Sequence, residues 1–314
     1  MSSLQEELSS YLALRRALGS ELRGPDGRLR RFVEFLDRED ATVITTELAL
    51  RWATAPADIA PSTWAVRLGE VRRFARWLSA SEPRTQVPPY GLLPFPCRRR
   101  TPYLYRDEDV ARIVGEALRL PSPTGLRAWT FATLFGLLAA TGLRLGEALA
   151  LDRDDVDLRA GVIAVQRGKF GKSRFVPIHD STCAALRRYA RRRDRCVPHP
   201  SSGAFLLSER GHRPTPRSAQ HNFALVTCAL GLRPPAPAQG DGRGPRLHDL
   251  RHRLATATLV RWYREGRDVG RELPKLSTYL GHVQVTGTYW YIEAIPELLR
   301  LATERAMTPR EYAP

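Results

Sequence analysis

WTFATLFGLLAATGLRLGEALAL, residues 129–151, is the stretch that decides how this chain folds. Trp129 to Ala140 is apolar on nearly every side, which predicts a helix buried all round. Thr141-Gly142 breaks it, and Leu143 to Leu151 resumes helical spacing. The apolar run is too short to span a bilayer, and no run of about 18 apolar residues occurs anywhere in the chain. Outward from this stretch, Asp107 to Leu118 reads as a capped helix. GVIAVQ (161–166) and RFVPI (174–178) are β-like runs around a glycine-containing turn, so a hairpin is expected there. Residues 181–195 form an arginine-laden helix, and residues 233–246 form a Pro/Gly loop. Leu247 to Tyr263, Lys275 to Leu280 and Pro296 to Ala306 are helical again. The region 103–314 is therefore mostly α with a small antiparallel β-sheet, and no internal repeat is present.

The N-terminal region reads differently. Leu4, Leu8, Tyr11, Leu12 and Leu18 give residues 4–19 an amphipathic helical pattern. Leu29, Phe32, Val33 and Leu36 repeat it. So do Leu48 to Trp52, and then Trp64, Leu68, Val71, Phe74 and Leu78. Thr45 or Thr46 is the expected cap of the third helix and Ser62 of the fourth. Residues 1–82 thus form a small all-helical domain. Residues 83–102 carry Pro83, Pro88, Pro89, Pro94, Pro96 and Pro102, a density that stops helices and marks a linker. Arg98, Arg99 and Arg100 lie within it.

The chain has 314 residues, with 49 Lys+Arg, 33 Asp+Glu and a formal charge of +16. Residues 1–82 hold 12 basic and 12 acidic side chains, so the whole excess lies beyond Pro83. That asymmetry points to a polyanionic partner, above all nucleic acid. A GC-rich coding preference explains arginine over lysine, but not the shortfall of acids. Lysine occurs only at Lys169, Lys172 and Lys275. Two of these lie in GKFGKSR, where an amine that can give up a proton has a use that a guanidinium lacks. Cys97, Cys183, Cys196 and Cys228 show no CxxC spacing, so neither a disulfide scaffold nor a zinc site is expected. MSSLQEELSS has no basic segment followed by an apolar one, so a secretory signal is not expected either, and a reducing cytoplasm fits.

Four segments carry the candidate chemistry: TGLRLGEALAL (141–151), GKFGKSRFVPI (168–178), LHDLRHRLAT (247–256) and YLGHVQVTGTYWYI (279–292). Each has an ordinary explanation by itself. Arg144 fits a surface arginine, and His248 with Arg251 fits a solvated pair on one helix face. His282 fits a helix-end histidine and Tyr291 a half-buried aromatic. In this order, however, the segments resemble the tyrosine recombinase (phage integrase) family over about residues 103–306. A-T-G-L-R-x-G-E resembles the first arginine box and H-x-x-R-H the second. L-G-H with a tyrosine nine residues on resembles the third. YWYIEAIPELL is similar to the branch that includes transposon-borne recombinases.

The resemblance implies a helical core-binding domain (1–82) joined to a mixed α+β catalytic domain (103–314). It implies a site-specific DNA recombinase or integrase that works through a 3′-phosphotyrosine, with no metal and no cofactor. Arg144 and Arg251 would fork onto phosphate oxygens, with His248 and His282 as hydrogen-bonding partners. Lys169 would protonate the leaving 5′ oxygen, and Tyr291 would be the nucleophile. Glu147 and His252 would support the site. Tyr289 and Lys172 are the competing residues of the same types. Gly146 stands where many members have serine. The DNA-binding candidates are Arg72, Arg73 and Arg76, the linker residues Arg98, Arg99 and Arg100, and Lys172 and Arg174. Arg67 shares the segment of the first three. The implied partners are double-stranded DNA carrying recombination sites, further copies of the chain forming a tetrameric synapse, and sister recombinases. The implied place is the cytoplasm, with the nucleoid. The amphipathic segment Pro296 to Ala306 has two expected homes, a neighbouring protomer or its own domain. Two other functions remain consistent with the residues: a type IB topoisomerase-like nicking and closing enzyme, and a non-catalytic accessory DNA-binding protein of the same fold.

Overall fold

The computed structural model describes residues 3–22, 24–95, 102–166, 173–233, 244–282 and 296–307. The chain divides into two compact units, Met1–Arg100 and Thr101–Pro314.

Unit 1 is built from α1 (Ser3–Ala17), α2 (Pro25–Arg38), α3 (Thr46–Thr54) and α4 (Pro61–Leu78). The apolar faces anticipated from sequence meet in one core: Leu8 and Leu12, Phe32 and Leu36, Trp52, and Val71 and Phe74 are all buried. Leu18 is an exception at 73% exposed. Helix α1 stops at Ala17, and Gly19 turns the chain away with a φ of +82°. Thr45 caps α3, its hydroxyl accepting from the Leu48 N–H at 3.2 Å. Ser62 does not cap α4. Pro61 occupies the first turn, where a missing N–H costs nothing, and Ala60 takes the cap position.

The proline-rich segment is not wholly a free linker. Thr85 is buried, and Val87 and Leu93 pack against the helical core. The Gln86 N–H donates to the Ile44 carbonyl at 2.8 Å, and the Thr46 N–H donates to the Gln86 side chain at 2.9 Å. Arg72 donates to the carbonyls of Pro88 and Pro89, both at 2.6 Å. Proline cannot join a ladder, but its carbonyl remains a good acceptor, and an arginine on α4 supplies the donors.

Unit 2 is organised around α6 (Leu126–Thr141), whose side chains are buried on nearly all sides. It packs against α5 (Asp107–Ala117), α8 (Asp180–Cys196) and α10 (Leu247–Arg264). A short α7 (Leu145–Ala150) follows the Gly142 break. The sheet has three antiparallel strands in the order β1 (Val156–Asp157), β2 (Val162–Val165) and β3 (Arg174–Pro177), with Ile163 opposite Val176. The hairpin strands lie where the sequence predicts them, and β1 adds a third that is too short to show a period. Helix α9 (Pro216–Ala229) was not anticipated. Its signals are local: Thr215 caps it, accepting from the Ser218 N–H at 3.1 Å, and Pro216 opens it.

Helix α11 (Val269–Leu280) starts six residues before the expected Lys275 and carries Pro274 inside it. Burial of Leu273, Leu276 and Leu280 against Ala255, Leu259 and Trp262 of α10 outweighs the one backbone bond a proline removes. The last helix, α12 (Pro296–Met307), packs on α10 of the same chain through the buried Leu298. Among the described residues no helix is long and apolar enough to cross a membrane.

Candidate active site

The site begins at the end of α6. Gly142 has a φ of +63°, and a Cβ there would come within 2.9 Å of Leu254 and 3.0 Å of Leu280. The tight turn it allows sets Arg144 at the N-cap of α7. Glu147, one turn on, accepts from the Arg144 backbone N–H at 2.9 Å and from its guanidinium at 2.7 Å.

The second element is the end of α11. Gly281 takes a φ of +69° and closes the helix. Its N–H donates to the Thr278 carbonyl at 2.9 Å, and that of His282 to the Ser277 carbonyl at 2.9 Å. A helix end leaves further carbonyls that its own backbone does not reach. Three arginines from three elements take the next three in succession. Arg174 Nε, from β3, donates to the Tyr279 carbonyl at 2.9 Å. Arg251 Nη2, from α10, donates to the Leu280 carbonyl at 2.7 Å. Arg144 Nη2 donates to the Gly281 carbonyl at 2.8 Å. The negative end of the helix dipole suits three cations. Arg251 is 2% exposed and also donates to the Gly142 carbonyl at 2.7 Å, tying the two glycine turns together.

The histidines join this cluster. His248 and His252, one turn apart on α10, stack edge to face with ring centroids 4.6 Å apart. Burial and the Arg251 charge push the His248 pKa down. Burial, then His248 and Arg246, push His252 down to about 3. Burial, then Arg251 and Arg144, push His282 down to about 4. All three imidazoles are therefore neutral near pH 7. A bound anion would oppose the arginine field and raise their basicity.

Glu147 behaves oppositely. Burial raises its pKa, but hydrogen bonds and charge from Arg174 and Arg144 outweigh that and hold it at about 2. Arg174 grips it with both terminal nitrogens, Nη1 to Oε1 at 3.1 Å and Nη2 to Oε2 at 2.9 Å.

Sequence reasoning singled out Arg144, Glu147, His248, Arg251, His252 and His282, and the structure brings all six to one place. Lys169, Lys172, Tyr289, Tyr291 and Arg98, Arg99 and Arg100 lie outside the described residues. Arg73 and Arg76 are exposed on α4. Arg72 is committed to the proline carbonyls and lies 4.4 Å over the Tyr90 ring. Arg67 stacks on Trp52 at 3.9 Å and donates to the Trp52 carbonyl. Sequence reasoning missed the support of the α10 N-terminus. Buried Asp249 accepts from the Arg246 N–H at 3.0 Å and from its Nη2 at 2.9 Å. The Tyr105 hydroxyl donates to the Arg246 carbonyl at 3.0 Å. The three-residue spacing of Arg246 and Asp249 is a capping signal that was available. A cavity of about 410 Å³, lined by Gln220, Phe223, Arg233, Arg246 and His248, opens beside this terminus.

Comparison with known proteins shows the family of the chain. Residues 105–297 match the phage integrase family. The chain is 48% identical to the integrase/recombinase y4rB of Sinorhizobium fredii (strain NBRC 101917 / NGR234), covering 97% of both chains. It is 31% identical to tyrosine recombinase XerC of Mycobacterium sp. (strain JLS), covering 98% of this chain and 99% of that one. Among solved structures, the fold is similar to that of the Tn1549 transposon integrase in complex with transposon right end DNA. The TM-score is 0.66 at 15% identity, over 95% of this chain and 98% of that one. It is also similar to a lambda integrase dimer bound to a COC′ core site, with TM-score 0.56 at 17% identity over 92% and 76%. The chain belongs to the phage integrase family, the tyrosine recombinases.

Proposed function

We propose that this protein is a site-specific DNA strand transferase that cuts and rejoins its DNA through a 3′-phosphotyrosine at Tyr291. The phenol oxygen of Tyr291 attacks the scissile phosphorus, forming a new P–O bond as the bond to the 5′ oxygen breaks. His248 takes the phenol proton, and Lys169 gives one to the departing 5′ oxygen. Arg144 and Arg251 neutralise the charge that builds on the non-bridging oxygens, and His282 donates a hydrogen bond to one of them. The energy of the broken bond is kept in the phosphotyrosine. A 5′ hydroxyl from another strand therefore reverses the step.

The observation that carries this assignment is the capture of three consecutive carbonyls, 279 to 281, by Arg174, Arg251 and Arg144. It gathers the cations and His282 at one helix end, held by contacts within the protein. Preorganised charge of this kind is what phosphoryl transfer needs most.

Unit 2 is the catalytic domain in this assignment, and unit 1 is a core-binding domain gripping the same duplex. Arg73, Arg76, Arg98, Arg99, Arg100 and Lys172 serve as phosphate contacts. Further copies of the chain assemble on paired recombination sites into a tetramer, with or without sister recombinases, in the cytoplasm and on the nucleoid.

The test is a nicked substrate from the flanks of the encoding element, in which the cleaved 5′ end diffuses away. A denaturation-resistant adduct should map to Tyr291 and vanish in Tyr291→Phe. Specific binding with no adduct would move the assignment to an accessory DNA-binding protein. Supercoil relaxation by isolated monomers, without exchange between two sites, would move it to a topoisomerase-like enzyme.

A further inference from the structure

Arg174 matches a DNA contact by its sequence position, two residues after Lys172 and beside the hairpin turn. Its side chain faces the other way. Only 12% of it is exposed. Nε, Nη1 and Nη2 each donate a hydrogen bond inside the protein, one to the Tyr279 carbonyl and two to Glu147. All three of its guanidinium nitrogens are engaged with protein acceptors, and it has about half the exposure of Arg144, 12% against 25%. Nor is there slack around it: a Cβ at Gly281 would come within 2.7 Å of Nη1 and 2.8 Å of Cζ.

We infer that Arg174 is a positioning residue whose charge leaves Arg144 able to neutralise the scissile phosphate; this rests on the strand-transfer assignment above. The reason is charge balance. Arg144 and Glu147 alone make a neutral pair, with the carboxylate 2.7 Å from the guanidinium. A phosphate approaching that pair meets little net attraction. Arg174 adds a second cation to the same carboxylate, and the three side chains together carry one net positive charge. In a partly buried setting this difference is screened far less than at the surface. Arg174 also sits on β3, so it ties that strand to α7 and to the end of α11. A single side chain thereby holds three parts of the site in register.

The test uses the full chain, the nicked substrate and two variants, Arg174→Met and Arg174→Lys. Arg174→Met should cut at saturating protein about 100-fold more slowly, in the range seen when a partner of a reactive group is removed. Its Kd for DNA, and the slope of log Kd against log salt, should match the wild type. Arg174→Lys keeps the charge but loses the fork, so it should lose about 10-fold and stay measurable should the methionine variant fold poorly.

Two further readouts separate positioning from mere structural support. With a methylphosphonate at the scissile position there is no anionic oxygen pair to neutralise, so the Arg174→Met defect should shrink at least tenfold. In a Glu147→Gln background the carboxylate that Arg174 offsets is gone, so adding Arg174→Met should cost less than about 3-fold. A rate equal to wild type, with weaker binding and a salt slope smaller by about one, would make Arg174 a phosphate contact and overturn the inference. Full additivity with Glu147→Gln, or a defect unchanged on methylphosphonate, would also overturn it. Wild-type protein that forms no adduct, under conditions where it binds DNA specifically, would instead remove the strand-transfer assignment and this inference with it.

Discussion

Glu70 in unit 1 and Glu147 in unit 2 are both carboxylates buried against arginine, and the two arrangements differ. In unit 1, Glu70 on α4 takes both hydrogen bonds of a single guanidinium, Arg28 Nε and Nη2, each at 2.7 Å. One acid and one base cancel, and the pair closes the packing between α2 and α4. In unit 2, Glu147 is shared by two guanidiniums, and one positive charge is left over. The first arrangement suits structure, because an interior tolerates a neutral pair better than a lone charge. The second suits the phosphate chemistry proposed above, because a net positive charge is what a developing anion requires. Both carboxylates are buried, at 3% and 9% exposed, so these two arrangements differ in the number of guanidiniums bonded to the carboxylate rather than in burial.

The largest expected effect breaks the surplus directly. Arg144→Ala should slow covalent adduct formation by about 10²- to 10³-fold, the range for losing one donor to a developing anion, with little change in thermal midpoint. Single-turnover cleavage at saturating protein measures it. The unit 1 brace should answer in the opposite currency. Arg28→Met leaves Glu70 buried without its partner and should cost about 3 kcal/mol of unit 1 stability in a urea titration. Cleavage per folded molecule should stay near wild type. A large cleavage defect without destabilisation would end the contrast.

Acid should separate the units next. All seven histidines lie in residues 179–282, and none lies in unit 1. His252 and His282 are held at about 3 and about 4, below the usual imidazole value near 6.5. Between those limits the unfolded chain binds protons that the folded chain does not. Unit 2 therefore loses stability as pH falls from about 6.5 towards 4. Glu147, held at about 2, keeps its bonds through that window and contributes loss only below the usual carboxylate range. Urea midpoints at several pH values should show unit 2 declining ahead of unit 1, and His252→Asn should flatten the decline. The smallest effect is Gly146→Ser. A Cβ there meets nothing within 4 Å, so stability should change by less than about 0.5 kcal/mol and cleavage should be unchanged.

Much of this was legible in the chain. The core faces of α1 to α4 were written in their apolar spacing, and the turn after α6 in Thr141-Gly142. Arg144, His248, Arg251 and His282 stood out as residue types in an ordered set. Other features had no local signal. Two residues of β1 are too few to show a period. Pro274 carries a breaker's signature that only the α10–α11 packing overrules. The prolines at 88 and 89 read as linker because nothing in their own segment reveals that Arg72 reaches their carbonyls. Arg174 is the sharpest case: its spacing from Lys172 points to DNA, and its contacts point inward.

The sequence by itself determined the inventory: which helices can bury a face, where the backbone must turn, and which side chains have the chemistry for a phosphodiester. Those properties depend on near neighbours in the chain, so they can be read locally. Only the tertiary structure decided how the charges are shared. The carbonyls at 279 to 281 and the carboxylate of Glu147 draw arginines from residues 144, 174 and 251, which are far apart in sequence. Whether an arginine faces solvent or a helix end depends on what distant segments bring beside it. A guanidinium buried against those acceptors must satisfy its hydrogen bonds there, and that requirement drew three distant arginines to one helix end.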